Sequence, residues 1–242
     1  MATPAKSTST VCVTGAEGFL ASWLVKLLLS SGSYTVRGTV SDPSGSKNAH
    51  LIELEGAGER LRLVKADVLD YSSVAAAVAG YIIAPAVTDT VNVLKACYEA
   101  KVKRVVVVSS FSAVCFNPNL PSTEIAGQMR STAERIRSVN PSIDGETVEN
   151  RIKNLVDVRD VADALLLAYE NPEASGRYIC SSTPVRVSDL VSILKTSYPT
   201  YNYPKSFVEA EANFTCNTEK LQKLGWSFRP MEETLRDSVV CY

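Results

Sequence analysis

The sequence predicts an α/β protein: a Rossmann-type doubly wound parallel sheet with central strands missing or shortened, plus a small C-terminal helical lobe. Three observations predict it. Val11–Thr14 is an apolar, β-branched run that ends in the turn Gly15-Ala16-Glu17-Gly18, and an apolar helix follows at once from Phe19-Leu20. That order of strand, glycine turn and helix opens a dinucleotide-binding βαβ unit. A second strand, Tyr34–Val40, follows Gly32, and a third apolar segment spans Leu61–Val68. Further on, Val105-Val106-Val107-Val108 is a continuous apolar run of the kind a parallel sheet buries on both faces.

The elements follow in order. Gly15 permits the tight turn, and Gly18 lets a pyrophosphate approach the backbone. The helix from Phe19 then points free N–H groups and a positive dipole end at the phosphates. The motif's third small residue is Ala21 rather than glycine. Within Ser22–Ser30, the residues Trp23, Leu24, Leu27 and Leu28 share a helical face. Ser72–Ala79 is an alanine-rich helix stopped by Gly80. Thr88–Ala100 is another helix, with Val91, Leu94 and Tyr98 on one face. Val102–Ser109 is the buried strand, with Ser109 and Ser110 at its carboxyl end, where open α/β sheets bind ligands.

A loop over Phe111–Pro121 and a helix over Thr123–Val139 come next, then a turn-rich stretch, Asn140–Gly145. Asn154–Val158 reads as a short strand, Val161–Tyr169 as a helix, Arg177–Cys180 as a strand and Val187–Tyr198 as a helix. Thr218–Leu224 and Met231–Val239 are short amphipathic helices. The expected division is a dinucleotide-binding domain over residues 1–160 and a small lobe over 161–242.

Composition narrows the function. The chain has 242 residues, 45% of them hydrophobic, and a net charge of −1. Near-neutral charge gives no reason to expect a nucleic acid or an acidic membrane as partner. No apolar run approaches the roughly 20 residues that span a bilayer. Residues 1–10 form a polar stretch without a signal-peptide core, so a cytoplasmic protein with reduced, mostly buried cysteines is expected. The six cysteines include no CxxC pair, and with one histidine, His50, no metal site is expected.

Several segments together resemble plant cinnamoyl-CoA reductase and dihydroflavonol reductase-like proteins, members of the extended short-chain dehydrogenase/reductase superfamily. These are Thr14–Leu24, Arg37–Val40, Lys47–Leu51, Lys65–Asp70, Arg104–Ser110, Val156–Tyr169 and Ser175–Tyr178. The resemblance implies an NADP-linked hydride transfer to a small phenylpropanoid-like thioester or ketone. It implies cofactor contacts at Gly15, Ala16, Glu17, Gly18, Phe19 and Leu20, an adenine-side contact at Asp67 and Val68, and a carbonyl-orienting serine at Ser110. Family members bind the 2′-phosphate with an arginine directly after the second strand and a lysine six residues on. Here those positions hold Ser41 and Lys47, while Asp42 keeps NAD open. Glu17 in the glycine turn is a further departure, because a carboxylate near a pyrophosphate is unfavourable unless it turns away.

The family's reaction also needs a tyrosine that protonates the substrate oxygen and a lysine four residues later on the same helical face. Residues 111–155 contain no tyrosine, and the one Tyr-x-x-x-Lys of the chain is Tyr201–Lys205. Pro204 bars that segment from a helix. A family strand before the Thr88 helix is also lost. Tyr81–Ala84 reads by its residue types as a short replacement strand, whereas Ile82–Val87 resembles the start of the family's following helix. A strand at Val105–Ser109 docked directly beside Val11–Thr14 would close the gap. Two expectations stand: an active NADP-dependent reductase, or a shortened relative that holds the nucleotide, or serves as an interaction protein, without transferring hydride.

Overall fold

The computed structural model describes residues 9–66, 83–110, 147–210 and 216–240. The expected helices Ser72–Ala79 and Thr123–Val139, the loop Phe111–Pro121, and Asp67 and Val68 lie outside them. The chain forms two compact units, one of residues 1–106 with 165–172, the other of residues 107–164 with 173–242.

The first unit is built on a parallel sheet in the order β1-β2-β3. Its strands are β1 (Ser9–Val13), β2 (Tyr34–Val40) and β3 (Leu61–Lys65). Val11 pairs with Val36, and Val36 with Leu61. Parallel neighbours require a crossover, and helix α1 (Phe19–Ser30) makes the first one. Its inner stripe is Val25, Leu28 and Leu29, all buried, with Ala21 and Leu24 partly buried beside them. The expected face of Trp23, Leu24, Leu27 and Leu28 is therefore rotated: spacings of three and four from Ala21 select the residues that reach the core. Those residues pack on Val13, Val36, Val40, Leu51 and Leu61. Full burial of each such leucine contributes about 1.5–3 kcal/mol.

Between β2 and β3 run a 3-10 turn (Ser46–Asn48), α2 (Ala49–Ile52) and α3 (Ala57–Arg60). Arg60 donates to the Leu29 carbonyl at 2.7 Å, which also accepts the Gly32 N–H at 3.1 Å, so the end of α1 is closed by both.

Helix α4 spans Ile83–Glu99, five residues earlier than the Thr88 start expected for it. This excludes a strand at Ile83-Ala84. Pro85 is tolerated because it stands in the first turn, where amides have no intrahelical acceptor.

The expected strand over Val102–Ser109 is not formed. Residues 102–110 are irregular, and Val105–Val108 are 37–59% exposed. Residues 105–109 belong to no strand ladder, and the described pairing of β1 is with β2, so the expected strand pairing with Val105–Ser109 is not formed. A β-branched run favours a strand only where a neighbour takes up its N–H and C=O groups; propensity alone does not supply one. Arg104 has a different task, donating to the carbonyls of Ala168, at 2.9 Å, and of Asn171. These lie at the end of helix α5 (Val158–Glu170), where a cation also meets the negative dipole end. Tyr34 donates to the Glu170 carboxylate, and its ring meets Tyr169 edge-on at 6.1 Å.

In the second unit, β4 (Thr147–Asn150) pairs parallel with β7 (Ser206–Glu209), and β5 (Ile152–Lys153) antiparallel with β6 (Val185–Arg186). Helices α6 (Val187–Ser197), α7 (Glu219–Gln222) and α8 (Met231–Val240) also belong to it, close to the spans the sequence predicts. The strand expected over Asn154–Val158 is replaced by an irregular link and a helix start. The reason is local: Asp157 accepts the Arg159 N–H at 2.8 Å and so caps α5. Arg177–Cys180 is likewise irregular, and the chain is tied down just after it, where Ser182 N–H and Oγ both donate to Leu155 O.

Arg159 also holds Asp157 Oδ2 at 2.6 Å and Asp237 Oδ2 at 2.7 Å, joining the start of α5 to α8. Burial pushes the Asp157 carboxyl up, but the Arg159 hydrogen bonds and charge outweigh it and hold it below the usual range. Asp237 is lowered by its own bond to Arg159. Carboxyls depressed in the folded state stabilise it above their unfolded pKa, and that contribution is lost as pH falls through the folded value. The urea midpoint is therefore expected to decline as pH falls below about 4–5. Arg159→Leu should lower the midpoint at pH 7 and flatten this acid dependence; an unchanged acid dependence would contradict the assignment.

Candidate nucleotide-binding site

The site is the junction of β1, the glycine turn, α1 and the carboxyl end of β2. Gly15 has φ +61, a left-handed conformation that glycine adopts without strain. A Cβ at Gly18 would lie 3.2 Å from the Gly15 carbonyl. The turn is locked to β2 by two amides: Gly15 N–H donates to Thr39 Oγ1 at 3.0 Å, and Ala16 N–H to Thr39 O at 2.8 Å. Ala16 is fully buried, and a Cβ at Gly38 would meet the Ala16 Cβ at 2.8 Å.

Helix α1 starts without help. Its cap, Gly18, offers no side-chain acceptor, and its first turn has no acidic residue. The N–H groups of Phe19, Leu20 and Ala21 precede the first intrahelical bond, from Ser22 N–H to Gly18 O. A helix end with open amides and a positive dipole, reached through a glycine turn, fits a pyrophosphate. The Phe19 ring does not block it by packing inward, being 70% exposed.

At the other side of the turn, Glu17 is drawn to the end of β2. Ser41 Oγ donates to Glu17 Oε1 at 2.9 Å. Asp42, next along, accepts the Ser44 N–H at 3.0 Å and its hydroxyl at 2.7 Å, and these bonds hold its carboxyl below the usual range. Lys47 is exposed on the 3-10 turn, and the buried Asn48 beside it donates to Asp42 O at 2.7 Å.

The structure thus brings Gly15, Ala16, Glu17, Gly18, Phe19, Leu20 and Ser41 together, with Lys47 on the same unit. Ser110 belongs to the other unit, exposed in the irregular segment rather than at a strand end. Sequence reasoning missed Gly38 and Thr39 as parts of the turn. A glycine inside a strand pattern is the signal that could have found the close approach.

Tyr201–Lys205 is irregular, as Pro204 requires, and Tyr201 is 62% exposed. Two lysine–tyrosine ring contacts are described, Lys195 over the ring of Tyr203 within this segment at 5.7 Å and Lys220 over the Tyr178 ring at 4.3 Å. Both are ring-face contacts. Lys220 spends its amine on the carbonyls of Ser175 and Arg177, and Tyr203 donates its hydroxyl to Tyr198 O. Among the described residues there is no group of three or more His, Cys, Asp or Glu that could hold a metal, and no helix long and apolar enough to cross a membrane. The described cysteines are not buried as expected: Cys12 is exposed and Cys97, Cys180 and Cys216 are partly so, while Cys115 and Cys241 lie outside the described residues.

A parallel β-α-β unit whose glycine turn opens on an uncapped helix defines a dinucleotide-binding protein. Residues 15–138 match the NAD(P)H-binding family. Cinnamoyl-CoA reductase 1 of Petunia hybrida is 35% identical, over 95% of this chain and 90% of its own length. Cinnamoyl-CoA reductase 2 of Medicago truncatula is 36% identical over the same shares. A yeast methylglyoxal/isovaleraldehyde reductase crystallised with NADPH shares the fold, with a TM-score of 0.69, 22% identity and coverage of 96% of this chain and 97% of that one. The chain belongs to the NAD(P)H-binding cinnamoyl-CoA reductase and dihydroflavonol reductase-like family of extended short-chain dehydrogenases/reductases. The 302-position alignment with the Petunia reductase is longer than the 242 residues of this chain, so that relative carries internal residues with no counterpart here.

Proposed function

We propose that this chain is an NADP(H)-binding member of its reductase family in which hydride transfer is impaired. One observation carries the reading: the segment between Ser110 and the start of α5 contains no tyrosine, and the one Tyr-x-x-x-Lys, at Tyr201–Lys205, is irregular in structure. The turn and the open amides of α1 would hold the pyrophosphate, and Lys47 would meet the 2′-phosphate. Asp67 and Val68 would stand at the adenine. When bound, the reduced nicotinamide supplies hydride. The chain would still have to donate a proton to the substrate oxygen, and general acid catalysis supplies about 10²–10⁴ in rate.

A second reading, an active reductase of a phenylpropanoid-like thioester or ketone, is favoured by identity to the reductases across 95% of the chain and by the matching Ser110. One assay separates the two. Full-length protein is given NADPH with feruloyl-CoA or a flavonoid ketone, while calorimetry follows NADPH binding. Binding without NADPH oxidation is expected. Oxidation that Ser110→Ala abolishes would establish the active enzyme instead. No binding heat would retire the nucleotide site.

A further inference from the structure

We propose that Glu17, held by Ser41, sets the chain's choice at the adenosine ribose, so that NADH is accepted on nearly equal terms with NADPH. The inference rests on the nucleotide-binding reading above and deepens it. In a βαβ dinucleotide site the carboxyl end of the second strand reads the ribose 2′ position. An acid there accepts the 2′-hydroxyl, and an arginine nearby accommodates the 2′-phosphate.

Here the residue directly after β2 is Ser41, which carries no charge. Its hydroxyl instead donates to Glu17 Oε1 at 2.9 Å, bringing a carboxylate from the glycine turn to the end of β2. Glu17 is half-buried, so its charge is only partly screened. Asp42 is closer in sequence to an acid of the NAD type, but Ser44 occupies its Oδ1 through two hydrogen bonds.

The charges around the position are mixed. Lys47 is exposed on the 3-10 turn, and Lys65, at the end of β3, acts on Asp42. A 2′-phosphate carries a charge of about −1.5 to −2. It would gain Lys47 and meet repulsion from Glu17. A 2′-hydroxyl would lose Lys47 and gain Glu17 as an acceptor. The two nucleotides are thereby brought towards equal affinity, whereas an arginine in place of Ser41 would favour the phosphate alone.

Calorimetry on the full chain with NADPH and with NADH tests this, whether or not the chain turns over substrate. The wild-type dissociation constants should lie within about tenfold of each other. Glu17→Gln should tighten NADPH by about fivefold and weaken NADH, and the NADPH gain should shrink in high salt. Ser41→Arg, which neutralises Glu17 and faces the phosphate, should shift the ratio further the same way. Circular dichroism should show both variants folded.

NADPH bound more than about a hundredfold tighter than NADH by the wild type would overturn the proposal. So would a ratio that neither substitution moves. Failure of the wild type to bind either nucleotide would instead remove the nucleotide-binding reading itself, and the proposal with it.

Discussion

Replacing Asp160 with alanine is expected to remove about 3–5 kcal/mol of stability, enough to unfold much of the second unit. Asp160 is 1% exposed, on the first turn of α5. Its Oδ2 accepts the Arg229 N–H at 2.8 Å, and its Oδ1 pairs with the Arg229 guanidinium. Its carbonyl accepts the indole N–H of Trp226 at 2.8 Å, and that ring is itself buried against Phe228. Truncation leaves the Arg229 backbone amide without its acceptor and the guanidinium with only its longer contacts to Asp163 and Glu233, and a poorly compensated charge costs far more than the pair contributes. The second partners of Arg229, Asp163 at 3.4 Å and Glu233 at 3.5 Å, are too far to replace the bond. Urea denaturation at pH 7 measures the effect. A double variant, Asp160→Ala with Arg229→Met, should recover part of the loss, because it removes the stranded charge. A single variant within about 1 kcal/mol of wild type would show that water, and not the protein, satisfies Arg229.

Asp160 was not visible as a structural anchor in the sequence, where it falls between the strand expected over Asn154–Val158 and the helix expected over Val161–Tyr169. The contrast with legible elements is instructive. The start of α1 at Phe19, the whole of β2 over Tyr34–Val40, and α6 and α8 follow from signals contained within a dozen residues: a turn, an alternation, a helical period. Helix periodicity is local because helix hydrogen bonds are local. Strand formation is not. Val105–Ser109, Asn154–Val158 and Arg177–Cys180 have suitable residues and form no strand, because a strand is completed by a neighbour that sequence alone does not place. The site divides in the same way. Gly15, Gly18 and the helix that follows were readable as one contiguous motif. The bond from Ser41 to Glu17 and the locking of the turn by Thr39 each join residues 24 apart, and their meaning appears only when β2 lies beside β1. Ser110 was legible by resemblance and by its place after an apolar run, and the run did not become the strand that would position it.

Gly38→Ala is expected to cost about 1–3 kcal/mol and to weaken NADPH binding together with stability, although Gly38 touches no phosphate. Gly38 pairs with Val13 on one side and Leu63 on the other, in the middle strand of the sheet. A Cβ there would stand 2.8 Å from the Ala16 Cβ and 3.2 Å from Leu63 Cδ2. The leucine can turn aside, but Ala16 cannot, because its amide is bound to Thr39 O at 2.8 Å and its side chain is fully buried. Relief therefore lifts the glycine turn off β2, and the amides at the start of α1 move with it. Valine at the same position should be worse than alanine, since its extra methyls enter the same gap. Gly58→Ala is the control: nothing lies within 4 Å of its Cβ, and it sits in α3, so the substitution should leave binding unchanged and melting equal or slightly higher. The decisive comparison is Gly38→Ala with Ala16→Gly, measured by thermal melting and by NADPH calorimetry. Deleting the Ala16 methyl reopens the space that the new one fills, so both readouts should recover together. If melting recovers and binding does not, the turn is not what transmits the damage. If Gly38→Ala melts and binds as wild type does, the contact between turn and strand carries no weight in the site.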